Sequence, residues 1–135
     1  MVATDSEAGL DACFPASAPR VADIRRAVAG LAARCGAAQA ILVRIGLAVS
    51  EAATNVVMHA YREPGPLHGL IHVKATCRDQ LLDVCVRDSG VGMSPRIDSP
   101  GLGLGISLMA HEADELEIRR CDEGGTEVHL RFALA

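Results

Sequence analysis

Glu51 and Asn55 are two residues whose types and spacing could do chemistry. They lie in the stretch ILVRIGLAVSEAATNVVMHAYR, residues 41–62, whose apolar side chains recur at the three- and four-residue steps of an amphipathic helix. Residues four apart on a helix point the same way, so a carboxylate able to act as a base would stand beside an amide oxygen able to bind a metal ion. Helices also favour glutamate on exposed faces, so the pair alone assigns no site.

Asp88 and Thr126 are polar residues at the ends of two apolar strand rows. Each continues a period-two pattern of core-facing side chains. A carboxylate on such a row is costly unless it is satisfied, although Asp88 could cap the following turn and a threonine hydroxyl can bond to nearby backbone. The segment DSGVGM follows, and its glycines, Gly90 and Gly92, let the backbone leave the strand as a ligand at that end would require.

A third candidate segment, GLGLG at residues 101–105, runs directly into the apolar ISLMA of a helix predicted to continue to about Ala113. Glycines at a helix N-terminus can hold phosphate through free backbone N–H groups. The pattern is neither a P-loop, which needs Gly-Lys-Ser/Thr, nor the dinucleotide fingerprint, because Ile106 replaces the third glycine. The preceding SPRIDSP, residues 94–100, is polar and bounded by prolines, which predicts a short mobile loop.

The elements that would position these residues alternate between strand and helix periodicity. Pro19 favours a helix start and Gly36 a stop, while Pro64 and Pro66 end the central helix by Glu63. The predicted order is an edge strand at 10–14, a helix at 19–35, the central helix from Ala37, two strands joined by a turn at 78–80, the glycine-led helix, and a hairpin at 116–132.

Composition narrows the class of protein. The 135 residues suit one domain with one core, and a net charge of −4 with scattered basic residues argues against a nucleic-acid-binding surface. Arg44 and Glu51 interrupt the longest apolar run, which predicts no membrane span, and the start MVATDSEAGL has no signal-peptide pattern. We therefore expect a soluble cytoplasmic protein.

The five cysteines form no CxxC pair and are odd in number. This pattern predicts neither a zinc site nor a complete disulfide set, so we interpret them as small core residues in a reducing compartment. His68 and His72 are four apart at a predicted strand start, where their side chains would lie in line and diverge as metal ligands.

In this order the segments resemble the four motifs of the GHKL ATP-binding fold, which includes DNA gyrase, the heat-shock chaperone and histidine kinases. The matching segments are EAATN at 51–55 with HAY at 59–61 (N box), DSGVG at 88–92 and GLGLG at 101–105 (glycine boxes), and Gly125-Thr126 (terminal motif). The small size, VSEAATNVVMHAY and GLGLGISLM are most similar to bacterial anti-sigma factors that are also serine protein kinases.

The resemblance covers about residues 10–132 and implies a single domain over residues 1–135. The implied fold is an α/β two-layer sandwich, with a mixed, mostly antiparallel sheet of about five strands and three helices on one face.

The resemblance also implies roles for the candidate residues. Asp88 would accept the adenine amino proton with Thr126 in support, Asn55 would hold Mg²⁺, and Glu51 would be the general base for an attacking serine hydroxyl. The remaining ATP-binding positions are glycines near the base or the phosphates: Gly90, Gly92, Gly101, Gly103 and Gly105.

The implied function is that of an ATP-binding anti-sigma factor and serine/threonine protein kinase. It would sequester an alternative sigma factor, phosphorylate an anti-sigma-factor antagonist, and form a homodimer, with no direct contact to nucleic acid or membrane. Only eight residues separate Gly92 from Gly101, with Arg96 the sole basic one, so this short lid supports nucleotide binding more than turnover. The alternatives are a non-catalytic ATP-dependent partner-switching module of the same fold and, less favoured, a detached histidine kinase catalytic domain.

Overall fold

Five strands form one sheet in a computed structural model that describes residues 7–60, 69–88, 100–122 and 124–135. The strands are β1 (Glu7–Pro15), β2 (Leu70–Arg78), β3 (Leu81–Asp88), β4 (Glu115–Arg120) and β5 (Thr126–Ala133). Their spatial order is β1-β2-β3-β5-β4, which confirms the first strand as an edge. Each of the four neighbouring pairs is antiparallel, so the described strands include no parallel pair of the kind a mixed sheet would contain.

Three helices accompany the sheet: α1 (Ala18–Arg34), α2 (Gln39–Asn55) and α3 (Pro100–Glu112). Proline in the first turn of α1 and Gly36, at φ +94°, mark its two ends as predicted. The central helix α2 begins two residues later than expected, because Ala38 is extended. It continues beyond Asn55 as a π-helical turn, Val56–Ala60.

A two-residue turn joins β2 to β3 and sets their register. Asp79 and Gln80 both have positive φ, +54° and +66°, as the tightest hairpin turns require to match strand twist. The register that follows pairs Ile71 with Asp88, so Asp88 lies at the very end of β3 beside the start of β2.

The core lies between one face of the sheet and the helices. Side chains alternate between buried and more exposed along β2, β3 and β5, with one row per strand facing inward. The opposite face carries cross-strand polar pairs such as Arg131 with Asp83, whose side chains approach to 2.7 Å. The predicted two-layer sandwich, with its helices on one face of a five-stranded sheet, is therefore confirmed.

The central helix is the main helical component of this core. It packs against α1 and α3 and contacts β3 and β5. Residues Gln39–Met58 are long and apolar enough, by length and composition, to cross a membrane, which the sequence analysis did not expect. Buried side chains along α2, such as Ile45, Val49 and Ala52, explain this apolar composition by packing within the core.

The cysteines depart from the prediction that all are core residues. Of the five, Cys77 is buried, Cys13 is exposed, and the remaining three, Cys35, Cys85 and Cys121, are partly exposed; all are free thiols. Strand alternation explains Cys85, because its neighbours two positions away on β3 also face outward while the core row lies between them.

Candidate functional site

Glu51 and Asn55 meet a glycine of the next helix. Both lie on α2, one turn apart and partly buried, and Gly105 of α3 faces them. A methyl group built on Gly105 would lie 3.1 Å from Glu51 Oε2 and 3.2 Å from both Asn55 Nδ2 and Oδ1. Ordinary van der Waals contacts are longer, so glycine allows α3 to approach this carboxylate–amide pair, Glu51 and Asn55, as closely as it does.

The close approach follows from small residues on both helices. From Gly105 onward, where burial is described, the buried residues of α3 and its end are Gly105, Met109 and Ala113. They recur every four residues and so form one stripe, which faces α2 at Gly105. On α2 the buried Ala52 and Ala53 leave little side-chain bulk beside the carboxylate–amide pair. The sequence thus lets polar side chains of one helix lie against the backbone of the other.

Arg44 holds the far end of α3 against α2. Its Nε donates a 2.9 Å hydrogen bond to the carbonyl oxygen of Glu112, the last residue of α3, and its Nη2 lies 3.5 Å from Asp114 Oδ1. A cation at a helix C-terminus satisfies free carbonyls and the helix dipole. Asp114 is itself tied to β5, where it accepts a 2.7 Å hydrogen bond from the Ala133 N–H. From the sequence, Arg44 was noted as an interruption of the apolar run, and this positioning role was missed.

Asp88 and Thr126 form a second polar group, at the ends of β3 and β5. Their burial is nearly complete, with 2% and 3% of their surfaces exposed, which confirms that both end core-facing rows. The neighbouring residues Arg87 and Glu127 are in register. Asp88 and Thr126 therefore occupy the next position along the paired strands β3 and β5. We refer to Asp88 and Thr126 as the strand-end pair.

Gly125 fixes how close the two strand ends come. Its φ is +89°, and a methyl group built on it would collide with the backbone carbonyl oxygen of Asp88 and lie 3.1 Å from Asp88 Oδ1. Only glycine combines this left-handed backbone with so close a contact. The glycine of the predicted terminal motif therefore lies directly against the predicted adenine-binding aspartate.

The Thr126 hydroxyl is buried and lacks a hydrogen-bond partner among the described residues. A buried hydroxyl without a partner costs about 1–3 kcal/mol, so such a group in a folded protein calls for an explanation. Ser50 Oγ, on α2 next to Glu51, is in the same condition and was missed, because a serine within an apolar run gives no sequence signal.

The remaining predicted positions are partly covered by the structure. Gly101 and Gly103 lie in the first turns of α3, which begins at Pro100, so the glycine segment belongs to the helix itself. Pro100 was predicted as the last residue of the lid loop and is instead the first residue of this helix. Gly90, Gly92 and lid residues 94–99 lie outside the described residues.

The two polar groups share one side of the sheet. The strand-end pair continues the inward rows of β3 and β5, and the π-helical turn that directly follows Asn55 contacts β3. The chain thus offers a carboxylate and an amide on a helix, a buried carboxylate and a buried hydroxyl on strands, and a helix N-terminus led by glycines. Such a set fits a ligand with both a hydrogen-bonding ring and anionic groups.

Comparison with known proteins supports the family resemblance predicted from the sequence. Residues 14–132 match the family described as histidine kinase-like ATPase domain. A serine-protein kinase RsbW from Bacillus mycoides is 32% identical over 134 residues, covering 88% of this chain and 81% of that protein. An anti-sigma F factor from Bacillus licheniformis is 32% identical over 101 residues, covering 66% of this chain and 67% of that protein.

A solved structure supports the fold. The crystal structure of the RsbU and RsbW domains of a Mycobacterium tuberculosis protein superposes with a TM-score of 0.74 at 23% identity, over 94% of this chain. This chain spans 32% of that longer one. The predicted resemblance is confirmed by these matches: the chain belongs to the histidine kinase-like ATPase family, in the group that contains the RsbW serine-protein kinases and the anti-sigma F factors.

Proposed function

We propose that this chain is an ATP-binding anti-sigma factor and serine/threonine protein kinase, which sequesters an alternative sigma factor and phosphorylates an anti-sigma-factor antagonist. The observation that carries the proposal is the contact of Gly105 with the carboxylate–amide pair, since it brings a base and a metal-binding amide to the glycine-led end of a helix. Similarity to a serine-protein kinase over most of both chains supports the same chemistry.

The residues present fit ATP. The Thr126 hydroxyl, which has no partner among the described residues, and the buried Asp88 carboxylate are hydrogen-bonding groups of the kind an adenine amino group and ring nitrogen would satisfy. Asn55 offers an amide oxygen, a neutral hard ligand of the kind that magnesium accepts when phosphates and water complete its shell. ATP would supply the phosphoryl group, with Mg²⁺ neutralising charge on its phosphates.

Glu51 is proposed as the general base. Its carboxylate lies at the seam between α2 and α3, one helical turn from Asn55, and so on the same side as the proposed magnesium ligand. There it would accept the proton of an attacking serine or threonine hydroxyl. A positioned base typically contributes about 10²- to 10⁴-fold to such a step.

The partners and setting are part of the proposal. The relatives' names, anti-sigma F factor and serine-protein kinase, support a sigma factor and an antagonist protein as partners. We further propose a cytoplasmic homodimer that contacts neither nucleic acid nor membrane directly.

Labelled ATP incubated with the purified chain and candidate antagonists from the same genome tests the proposal. Glu51→Gln keeps size and hydrogen bonding but removes the base, so phosphotransfer should fall about 10²- to 10⁴-fold while ADP affinity stays near parental. Asn55→Ala should instead weaken magnesium-dependent ATP binding. Glu115→Gln, at an exposed position on edge strand β4, is the matched control and should change neither quantity.

Asp88→Asn tests the adenine contact separately. It replaces an acceptor oxygen with a donor that would face the adenine amino donor, a loss of about 2–4 kcal/mol or roughly 30- to 1,000-fold in ADP affinity. Unchanged calorimetric ADP binding in a folded variant would remove this assignment. Parental phosphotransfer by Glu51→Gln would remove the base assignment, and nucleotide binding with no transfer to any cognate antagonist would establish the non-catalytic partner-switching module.

A further inference from the structure

Three potential metal ligands converge on the outer face of the sheet, opposite the helices. Cys85 of β3 is directly in register with His129 of β5, and Glu127 lies two residues from His129 on the same face. His129 Nε2 is 3.8 Å from Cys85 Sγ and 2.9 Å from Glu127 Oε1. The three ligand atoms all lie within 4.8 Å of one another.

These separations are close to those of a tetrahedral zinc site. Zinc bonds of roughly 2.3 Å to sulfur and 2.0–2.2 Å to nitrogen and oxygen place tetrahedral ligands about 3.6 Å (sulfur to nitrogen) and about 3.4 Å (nitrogen to oxygen) apart. The observed 3.8 Å between sulfur and nitrogen needs little change. The 2.9 Å contact between His129 and Glu127 must open by roughly 0.5 Å to meet the second value, within reach of side-chain rotation.

The ligand types indicate the class of metal. A thiol, an imidazole and a carboxylate are a ligand set typical of borderline-soft transition metals and unlike the all-oxygen shells of magnesium or calcium. Three protein ligands leave the fourth tetrahedral position to water, as in open zinc sites. Cys121, which follows β4, is not among the described ligand atoms that converge within 4.8 Å.

The surroundings tolerate a divalent cation and give it access. Arg87 lies 3.8 Å from Glu127, and Arg119 pairs with Glu117, so the charged side chains around the cluster nearly balance. The Cys85 thiolate and the Glu127 carboxylate would then offset the charge of the metal. His129 also lines an open groove on this face, which leaves a path from solvent.

We propose that Cys85, Glu127 and His129 form a binding site for a divalent transition metal such as Zn²⁺. This site is separate from the proposed nucleotide site, because Glu127 and His129 alternate along β5 with Thr126 and the core row. Its ligands meet across neighbouring strands and form no short spacing motif, so the site could not be predicted from the sequence.

Cobalt titration of the reduced, chelator-stripped full chain tests the site. One equivalent of Co²⁺ should give a thiolate-to-cobalt charge-transfer band with the intense visible bands of tetrahedral cobalt, and Zn²⁺ should abolish both. Cobalt bound at Asn55 would give no such band, because no thiol lies in the proposed magnesium site. Cys85→Ser and His129→Asn should each weaken binding by at least about tenfold, with circular dichroism confirming that the variants are folded.

The same outer face of the sheet, towards its β1 edge, provides matched controls. Cys13 of β1 is in register with His72 of β2, whose Nε2 is 2.6 Å from Asp11, yet within the described part of the chain these three ligand atoms do not converge as the proposed set does. Cys13→Ser and His72→Asn should therefore leave the cobalt spectrum unchanged.

Three outcomes would overturn the proposal in whole or in part. Absence of a charge-transfer band in the parent overturns the site, as does an undiminished band in Cys85→Ser. Cys121→Ser should leave the band near its parental intensity, because the Cys121 thiol lies outside the converging set. Loss of the band in that variant would overturn the assignment of Cys85 as the thiolate ligand.

Discussion

Replacing Thr126 with valine should raise stability and lower nucleotide affinity together. The hydroxyl is buried and has no partner in the described structure, so the folded protein bears its desolvation cost, about 1–3 kcal/mol. Valine has nearly the same shape and carries no polar group there. The free energy of unfolding without nucleotide should therefore rise by about 1–3 kcal/mol, which corresponds to roughly 3–10 °C in Tm for a domain of this size.

The same substitution should weaken ADP binding. If the hydroxyl is paired only by the nucleotide, Thr126→Val loses a hydrogen bond of about 0.5–1.5 kcal/mol, or roughly 2- to 13-fold in Kd. Thermal melts without ADP and calorimetric titration with ADP measure the two quantities. Saturating ADP should also stabilise the variant less than the parent.

Thr76→Val is the matched control for this experiment. Thr76 is a partly exposed threonine on the outer row of β2, so its replacement should change stability by less than about 0.5 kcal/mol and leave ADP affinity unchanged. A lower Tm for Thr126→Val would mean that the hydroxyl is satisfied within the protein. A higher Tm with unchanged ADP affinity would refute its contact with the nucleotide.

Three further predictions follow from close contacts and burial. Gly36→Ala places a side chain at positive φ in open space and should cost about 1–2 kcal/mol of stability in denaturant unfolding. Gly125→Ala adds a backbone collision and should cost about 1–3 kcal/mol more. Equal costs would contradict the contact of Gly125 with Asp88. Gly105→Ala should leave stability near parental, because the helix preference of alanine, about 1 kcal/mol over glycine, offsets the closer contact. It should lower phosphotransfer roughly tenfold or more by displacing the carboxylate–amide pair. Parental kinetics would argue against that geometry. Burial, with hydrogen bonding to Cys35, raises the pKa of Cys77 from 9.0 to about 12. The unfolded chain therefore loses this proton first, and the free energy of unfolding should fall as pH rises from about 9 towards 12. Cys77→Ala should flatten that slope in pH-dependent urea melts, and Cys13→Ala should not.

Much of the fold could be predicted because its signals are local. Period-two alternation identifies the buried rows of β2 and β3, and a one-residue shift would have exposed every core side chain, so their register was strongly specified. The two ends of α2 were harder to predict. Ala37 and Ala38 carry no capping signal, and apolar periodicity does not distinguish the π-helical turn after Asn55 from a regular helix.

The polar residues of the site were predictable for a different reason. Asp88 and Thr126 stand out because they break an apolar row that otherwise specifies the core, and a polar residue at such a position is typical of a functional site. Glu51 and Asn55 break no rule on their own, since a helix face accommodates them freely. Their prediction depended on the glycine segments downstream and on the family resemblance.

What the sequence could not reveal is how α3 meets α2. The contact of Gly105 with the carboxylate–amide pair depends on the docking of two helices separated by a long stretch of chain. Arg44 holds one end of this seam by bonding the last carbonyl of α3, and Met109 is buried in the middle of it. Since packed helices move as units, the geometry at Gly105 depends on contacts two turns away as well as on its own neighbours. The reactive end of the seam is therefore set by tertiary packing, which no short motif encodes.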